Sequence, residues 1–317
     1  MTTDPGTLLE RCRFPPSGHQ VDLAVSGGAD SLALLVLAAA AGCRPVAYHV
    51  DHGLRADSAA DASVVEDAAG RLGADVVRIV VEVHPGPNLE ARARAARFAA
   101  LPEAVATGHT ADDQVETILM NLLRGSGLSG LAGMRLGERH PILALRRSET
   151  RGVCMKAGLS PVKDPTNADP AYLRNRVRHE LVPALCELAG RDVVAVIARQ
   201  AALLAEEDAF LDRLAAGIDP AEVKSLASSD KVLARRALRE WLRGRDPHRH
   251  PPDSASVERV LAVAFGESIA CEVAGGTRVQ RSKGRLLSRR SQDEVVESTE
   301  SLAPLLVFGP RRPPRPQ

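Results

Sequence analysis

The sequence is poor in aromatic residues and contains no long apolar run. Phe, Trp and Tyr make up 3% of its 317 residues, so a platform that stacks single-stranded bases on aromatic rings is not expected. The longest apolar stretch, residues 32–42, is shorter than the roughly 18 residues that a membrane-spanning helix needs. The N-terminus has no apolar core of signal-peptide length. We therefore expect a cytoplasmic protein without membrane contact.

Paired cysteine motifs are also missing. No two cysteines form a CxxC motif, which argues against a structural zinc site, an iron–sulfur site and a disulfide framework. We interpret the cysteines as reduced thiols of a cytosolic protein. They are Cys12, Cys43, Cys154, Cys186 and Cys271.

An excess of charge of one sign is missing too, since the formal net charge is +1. Any contact with RNA must then come from a local basic patch. Residues 163–185 end in an arginine-rich helix, and residues 226–290 hold 14 Lys and Arg against 7 Asp and Glu. Such clusters are often solvated helix faces, but a local excess in a balanced chain favours contact with phosphates. The candidate RNA-binding residues are Arg174, Arg176, Arg178, Arg235, Arg239 and Arg243.

Short β-branched runs alternate with helical patterns over residues 21–145. This alternation builds a parallel sheet with helices on both faces, and ligands bind at the carboxyl ends of its strands. We predict an α/β fold, a doubly wound parallel five-stranded sheet, with a second, smaller mainly helical domain. The predicted strands are residues 21–25, 45–50, 76–83, 104–107 and 140–145, and the predicted helices are residues 31–41, 58–72, 88–100 and 111–124.

The chain is expected to divide into three parts. Residues 1–190 form the catalytic domain and residues 191–300 a smaller RNA-binding domain, in which residues 269–290 read as two strands with Gly275-Gly276 at the turn. Residues 301–317 are rich in proline and arginine, a composition that predicts a disordered tail.

The segment SGGADS, residues 26–31, stands between a predicted strand and a predicted helix. Its glycines let backbone N–H groups approach an anion, and the helix N-terminus adds positive potential. A lone SGG is often only a tight turn, but this segment matches the SGGxDS loop of N-type ATP pyrophosphatases in the required strand–loop–helix context. A carboxylate repels phosphate, so Asp30 predicts a metal ion between the two. The candidate ATP-binding residues of this loop are Ser26, Gly27, Gly28, Ala29, Asp30 and Ser31.

Acidic residues follow the fourth predicted strand. Thr110 can cap the next helix with Asp113 three residues later, and Asp113 and Glu116 share a helix face. Acids on an outward face are usually solvated. Here the helix start overlooks the carboxyl edge of the sheet, where Asp112, Asp113 and Glu116 can hold a metal or a cationic amine. The expected buried stripe of this helix is Val115, Ile118, Leu119, Leu122 and Leu123.

Two further segments are candidates for the same edge of the sheet. HVDHGLR, residues 49–55, is either a capped turn or a lining of the nucleotide pocket that presents His52 or Arg55. In NLEARARAARF, residues 88–98, Arg94 and Arg97 share one helix face. They form either a solvated stripe or a clamp on a triphosphate, whose oxygens match the fork of guanidinium donors.

Taken together, SGGADS, HVDHGLR, ARAARF, GHTADDQVET (108–117) and RNRVRHELVP (174–183) resemble the tRNA(Ile)-lysidine synthetase family in order and spacing. The resemblance covers about residues 20–190. Phe98 stands where the family usually has tyrosine, and His140 stands where arginine is common. Longer members carry an extra C-terminal domain, so we expect the acceptor end of the tRNA to be read differently here.

The resemblance implies a two-step reaction on the isoleucine tRNA with a CAU anticodon. ATP adenylates the C2 oxygen of the wobble cytidine at position 34, and free L-lysine then attacks C2 and displaces AMP. ATP and Mg²⁺ are the implied cofactors, tRNA and lysine are the implied partners, and a homodimer is left open. The polyphosphate charge needs Mg²⁺ and arginine, and lysine must lose a proton before it attacks. The implied roles are catalysis for Asp30, Asp113 and Glu116, metal binding for Asp30, lysine binding for Asp112, Asp113 and Glu116, and ATP binding for Arg94 and Arg97.

Two other functions fit part of this pattern. A tRNA thiolase of the PP-loop type generally needs catalytic or cluster-binding cysteines, and the missing CxxC motif counts against it. A nucleotide- or RNA-binding module without turnover has no need of paired carboxylates beside its phosphate loop. The acids after the fourth strand therefore count against a mere sensor, and the family resemblance implies a ligase that forms a C–N bond.

Overall fold

The computed structural model describes residues 4–51, 58–81, 89–162, 169–246 and 249–290. The chain divides into two compact units, Met1–Asp208 and Ala209–Gln317. The boundary falls inside one long helix, α10 (Val193–Ala215), and so lies later than the expected boundary at residue 190. The tail at residues 301–317 lies outside the described residues.

A parallel β-sheet forms the centre of the first unit. Among the described residues it has four strands in the order β3-β2-β1-β4. β1 pairs with β2 on one side and with β4 on the other, so that Leu23 lies opposite both Ala47 and Ala106. The strand order therefore reverses at β1, and the ligand-binding crevice of such a sheet lies at the carboxyl ends of β1 and β4. The strands are β1 (Gln20–Ala24), β2 (Arg44–Asp51), β3 (Asp75–Val80) and β4 (Ala106–Thr107).

Helices surround this sheet. The helix that follows β1 is apolar along nearly its whole length, and such a helix belongs in a core. Its residues Leu32, Leu34, Leu35 and Leu37 are fully buried. The helices are α1 (Pro5–Leu9), α2 (Ala29–Ala40), α3 (Ser58–Leu72), α4 (Leu89–Ala100), α5 (Ala111–Leu123), α6 (Leu128–Ala132) and α7 (Arg147–Lys156).

The prediction of a fifth strand at residues 140–145 is wrong. This segment runs as consecutive turns, in which the N–H of Leu143 donates to the carbonyl of His140 and the N–H of Leu145 to that of Ile142. Pro141 has no N–H to give to a strand ladder. Ile142 and Leu145 are nonetheless fully buried. The apolar run therefore marks a core segment and not a strand.

A helical stretch with an irregular turn follows residue 169. It comprises α8 (Leu173–Arg176), a π-helical turn (Val177–Leu181) and α9 (Val182–Ala189). π-helical turns are rare and concentrate at functional sites. Val177 is buried in one apolar cluster with Val115 and Leu119 of α5. This packing holds α8 and the π-helical turn against α5.

The second unit combines helices with a small antiparallel sheet. Its sheet has three strands among the described residues, in the order β5-β6-β7, where two were expected. Its core includes Leu238, Trp241, Val260, Val279 and Leu286. No helix in the described parts of the chain is long and apolar enough to cross a membrane. The elements are α11 (Val223–Ala227), α12 (Lys231–Arg243), α13 (Ser254–Phe265), β5 (Ala270–Val273), β6 (Thr277–Ser282) and β7 (Arg285–Arg290).

Candidate active site

The phosphate loop connects β1 to α2 and is held in shape by its own serine. The hydroxyl of Ser31 donates to the carbonyl of Gly28 over 2.9 Å and accepts from the N–H of Ser26 over 3.2 Å. Gly27 has a φ of 85°, a conformation that side chains other than glycine rarely adopt. No described side chain caps the start of α2. The first N–H groups of this helix can therefore serve an anion.

Close packing brings the end of β4 against this loop. A Cβ atom added to Gly108 would lie 2.7 Å from the carbonyl oxygen of Asp30 and 3.0 Å from the nitrogen of Ser31. Only glycine permits this approach. The residues that follow β4 and the start of α2 therefore meet at the switch point of the sheet, where a doubly wound fold binds its ligand.

Asp30 lies in the first turn of α2 and faces α7. Its carboxylate accepts a hydrogen bond from the hydroxyl of Thr150 and another from Nε of Arg147, the latter over 3.4 Å. Burial raises the pKa of Asp30 above its ordinary value, and the hydrogen bond from Thr150 opposes this only in part. A nearby positive charge would therefore stabilise the ionised form of Asp30.

Glu116 is the most enclosed acid of the site. It is 2% exposed, and three arginines surround it. Its Oε1 accepts from Arg147 over 3.1 Å and from Arg178 over 2.7 Å, and its Oε2 accepts from Arg174 over 2.8 Å and from Arg178 over 3.0 Å. Both oxygens of this carboxylate are thus engaged by guanidinium groups, as a buried charge requires.

Asp113 shares the same arginines and also closes the start of α5. Its Oδ2 accepts from both the N–H and the hydroxyl of Thr110, as the capping pattern predicted. Its Oδ1 lies 2.9 Å from Nη2 of Arg147 and 3.2 Å from Nη2 of Arg174. Burial acts to raise the pKa of Asp113, but Arg147, Arg174 and the hydrogen bonds from Thr110 outweigh it and lower the pKa.

Asp112 belongs to a neighbouring network. It accepts from Nε of Arg146 over 3.1 Å and from the backbone N–H of Arg147 over 2.8 Å. Burial would raise the pKa of Asp112, but the hydrogen bonds from Arg146 and Arg147 lower it. Arg146 also pairs with Asp192. Asp112 therefore fixes the start of α7 and so positions Arg147.

Several predicted site residues lie elsewhere or outside the described residues. Arg174 and Arg178, expected to contact RNA, bind Asp113 and Glu116, whereas Arg176 between them is exposed. Arg97 is half-buried in the last turn of α4. The side chain of Arg94 and the residues His52 and Arg55 lie outside the described residues.

Asp113 and Glu116 do not lie on a solvated face of α5, since both are buried. The expected buried stripe is also shorter than predicted. Val115, Ile118 and Leu119 are buried, but Leu122 and Leu123 are 56% and 61% exposed. The inward face of this helix therefore combines the two acids near its start with Val115, Ile118 and Leu119.

In the second unit, α12 carries the three arginines that were predicted to share a face. Arg235 bonds to Glu258 over 2.5 Å, and Arg243 lies 3.6 Å from Glu240. Arg239 has no charged partner among the described residues and is half-exposed. Part of this basic stripe is thus neutralised within the unit itself.

Comparisons with known proteins agree with this geometry. The family model ATP_bind_3, described as a PP-loop domain, matches residues 7–185. A protein named tRNA(Ile)-lysidine synthase from Nocardia farcinica is 37% identical over 90% of this chain and 96% of its own length. Proteins of the same name from Salinispora tropica and Rhodococcus erythropolis are 40% and 41% identical, over 89% and 71% of this chain and 90% and 74% of their own lengths.

A solved structure shares the fold at much lower identity. It is the U34-tRNA thiolase NcsA from Methanococcus maripaludis with its 4Fe-4S cluster, with a TM-score of 0.50 and 16% identity over 64% of this chain and 78% of that chain. At this identity the likeness concerns the fold alone. The family match and the relatives of similar length go further: the chain belongs to the tRNA(Ile)-lysidine synthase family of PP-loop proteins.

Proposed function

We propose that the protein is an ATP-dependent ligase that forms lysidine at the wobble cytidine of the CAU-anticodon isoleucine tRNA. The observation that carries this proposal is the junction of a phosphate loop with a buried cluster of acids and arginines. The relatives at 37–41% identity bear the name of this activity. A nucleotide-binding module without turnover has no use for such a cluster beside its loop.

The reaction has two balanced steps. The C2 oxygen of cytidine attacks the α-phosphorus of ATP, and pyrophosphate leaves. The ε-nitrogen of lysine then attacks C2, loses a proton, and displaces AMP together with the former C2 oxygen. Adenylation converts a poor leaving oxygen into a good one, and the charge of the polyphosphate must be stabilised throughout.

The polyphosphate is held by the loop of residues 26–31 and the first N–H groups of α2. Arg147 lies against Asp30 in the same crevice, and its fork of donors suits phosphate oxygens. Burial alone would lower the pKa of Arg147, but Asp113, Glu116 and Asp30 raise it, so its charge is permanent. Arg94 and Arg97 of α4 remain proposed as additional nucleotide contacts.

Asp30 is the residue that would hold Mg²⁺. The described residues contain no group of three or more His, Cys, Asp or Glu that could bind a metal by themselves. A single carboxylate still fits Mg²⁺, because this ion keeps several waters and takes its other ligands from substrate phosphates. When bound, the ion would neutralise part of the polyphosphate charge.

Asp113 and Glu116 are proposed to hold the ammonium group of lysine and to accept its proton. Their oxygens are occupied by arginines in this structure, so the ammonium would take the place of a guanidinium. Asp112 was expected to bind lysine directly. Its bonds to Arg146 and to the backbone of Arg147 favour a supporting role.

Contacts with tRNA are proposed for the exposed Arg176 and for the arginines of α12. Arg174 and Arg178 are also proposed RNA contacts, although in this structure they bind Asp113 and Glu116. A switch of these two side chains between acids and phosphates would link tRNA binding to the site.

The test is mass analysis of the wobble nucleoside after incubation with ATP, lysine and unmodified tRNA. We expect cytidine to gain one lysine less one water, and to gain nothing when lysine or ATP is omitted. A matched tRNA with uridine at the wobble position serves as the control. An unchanged mass of cytidine in the complete reaction contradicts the proposal.

A further inference from the structure

All the charged residues of the β6–β7 hairpin in the second unit are basic. Residues 277–290 contain six Lys and Arg and no Asp or Glu. The hairpin closes through Lys283 and Gly284, whose φ angles are 47° and 75°, as in a two-residue turn that matches the twist of the strands. The basic residues are Arg278, Arg281, Lys283, Arg285, Arg289 and Arg290.

Two arginines of this hairpin face each other directly. Arg278 of β6 pairs in register with Arg289 of β7, and both side chains are exposed. Side chains directly opposite in an antiparallel pair are close neighbours, and like charges in that arrangement destabilise the sheet. An anion bound between the two guanidinium groups would remove this repulsion.

The opposite face of the sheet belongs to the core, which leaves the arginine face outward. Val279, next to Arg278, and Leu286, next to Arg285, are buried at 0% and 2% exposure, so Arg278 and Arg285 lie on the other face, as does Arg289 opposite Arg278. Glu272 of β5 lies opposite Arg278 on its other side and is the one acid on the described outward face of these strands.

Other arginines of this unit have internal acid partners. Arg236 bonds to Asp212 over 2.6 Å, and Arg285 lies 3.1 Å from Asp219 at the far end of β7. The side chains of Arg278 and Arg289 have no hydrogen-bonded or ion-paired partner among the described residues. Their charge is therefore available to a ligand from outside the unit.

We propose that the outward face of the β5–β7 sheet, centred on Arg278 and Arg289, is a docking surface for the phosphate backbone of tRNA. The identity of the RNA rests on the proposed function. The surface itself rests on charge complementarity, because two unpaired arginines side by side match the negative charge along a nucleic-acid backbone. This surface would be a second RNA contact in addition to the α12 stripe, which consists of Arg235, Arg239 and Arg243.

The test is tRNA binding by the full chain with Arg278→Ala and Arg289→Ala combined, over a series of salt concentrations. Two lost phosphate contacts should flatten the slope of log K against log salt by about 1.4–1.8. The KM for tRNA should rise accordingly. Arg199→Ala, at an exposed arginine of the first unit, is the control, and we expect little change because this residue lies outside the proposed surface.

Glu272→Gln probes the same surface with the opposite sign. Removing this negative charge from the face should tighten tRNA binding at low salt. Thermal unfolding of the double alanine variant should show no loss of stability, because a repulsive pair has been removed. An unchanged salt slope and affinity in this folded variant would overturn the proposal. Weakened tRNA binding in a protein that forms no lysidine would leave the surface standing while refuting the proposed function.

Discussion

Asp30 and Asp113 share one site but respond to it in opposite directions. The pKa of Asp30 is raised above 3.8 by burial, so its ionisation opposes folding. The pKa of Asp113 is lowered below 3.8, since Arg147 and Arg174 outweigh burial, so its ionisation favours folding. The unfavourable contribution of Asp30 is present above its raised pKa and absent below 3.8. The favourable contribution of Asp113 is present above 3.8 and is lost as the pH falls through its lowered pKa.

These signs predict opposite effects of the two amide substitutions. Asp30→Asn should raise the thermal midpoint at neutral pH, and the gain should vanish as the pH falls to 3.8. Asp113→Asn should lower stability at neutral pH by about 3–5 kcal/mol, because it breaks a buried charge pair, with a smaller loss in strong acid. Thermal unfolding across a pH series measures both. Asp67→Ala, at a 70% exposed acid of α3, is the control and should change little. Equal effects of the two amide substitutions would contradict the assignment.

Glu116 should separate the two half-reactions. Glu116→Gln keeps the shape of the side chain and removes its charge. If the acid holds or deprotonates lysine, pyrophosphate exchange should persist while lysidine formation falls about 10²–10⁴-fold. Exchange and mass assays on one preparation measure the two steps, with the exposed Glu66→Gln as control.

The other outcomes for Glu116→Gln are equally informative. A parallel loss of both activities would mean that the acid serves ATP through Arg147. Full activity in both steps would show that the acid has no part in the reaction. Thermal unfolding must accompany the assays, because the variant leaves three arginines with one acid fewer.

Arg147 is the residue that the sequence motifs did not indicate. It contacts Asp30, Asp113 and Glu116, each more than thirty residues away in the sequence, and no periodic pattern reports such contacts. One local feature of the sequence could have indicated the importance of Arg147. Arg146 and Arg147 stand at the start of α7, where the helix dipole disfavours cations. A local rule that is broken in this way is typical of a functional site.

The junction between β4 and α5 depends on a glycine. Gly108→Ala would place a Cβ atom 2.7 Å from the backbone carbonyl of Asp30, so the phosphate loop or the strand must shift. We expect a loss of stability of about 1–3 kcal/mol and a large loss of pyrophosphate exchange. Gly70→Ala in α3 is the matched control, since its Cβ meets no atom within 4 Å, and it should stabilise the helix slightly. Normal exchange in Gly108→Ala would show that the loop geometry does not limit activation.

Most elements of the first unit were predictable because their apolar periods are regular. The parallel sheet and the place of the phosphate loop between β1 and α2 follow from the alternation of strands and helices, whereas the strand order does not. The prediction of a fifth strand at residues 140–145 was wrong, because burial alone does not distinguish a short strand from a buried turn. Leu122 and Leu123 continue the apolar period of α5 but lie where no described partner covers them. Composition cannot reveal where a neighbouring element ends.

The boundary between the two units could not be read from the sequence. α10 runs as one continuous helix from Val193 to Ala215, and an unbroken helical period contains no mark of a domain limit. The balanced net charge of +1 likewise hides a basic second unit. Local charge, and not the total, predicts where RNA binds.

The α12 stripe provides a test of this uneven distribution of charge. Replacing Arg235, Arg239 and Arg243 with alanine should weaken tRNA binding at low salt and flatten its salt dependence. The slope of the salt dependence should change by less than the loss of three phosphate contacts would cause. Arg235 already bonds to Glu258, and Arg243 lies near Glu240. Titrations at several salt concentrations measure the slope, with the exposed Arg199 of the first unit as a control substitution. An unaltered slope would make the stripe an ordinary solvated face.

The acids and arginines of the site are equal in number. Asp30, Asp113 and Glu116 stand against Arg147, Arg174 and Arg178, so the cluster is neutral before any ligand arrives. On the proposed function, a polyphosphate that attracts one guanidinium would leave an acid without its counter-charge, and that acid would then attract an ammonium ion. The affinities for nucleotide and amine would then be coupled, and such coupling is reciprocal. The enzyme would hold ATP most tightly when the amine that completes the reaction is already bound.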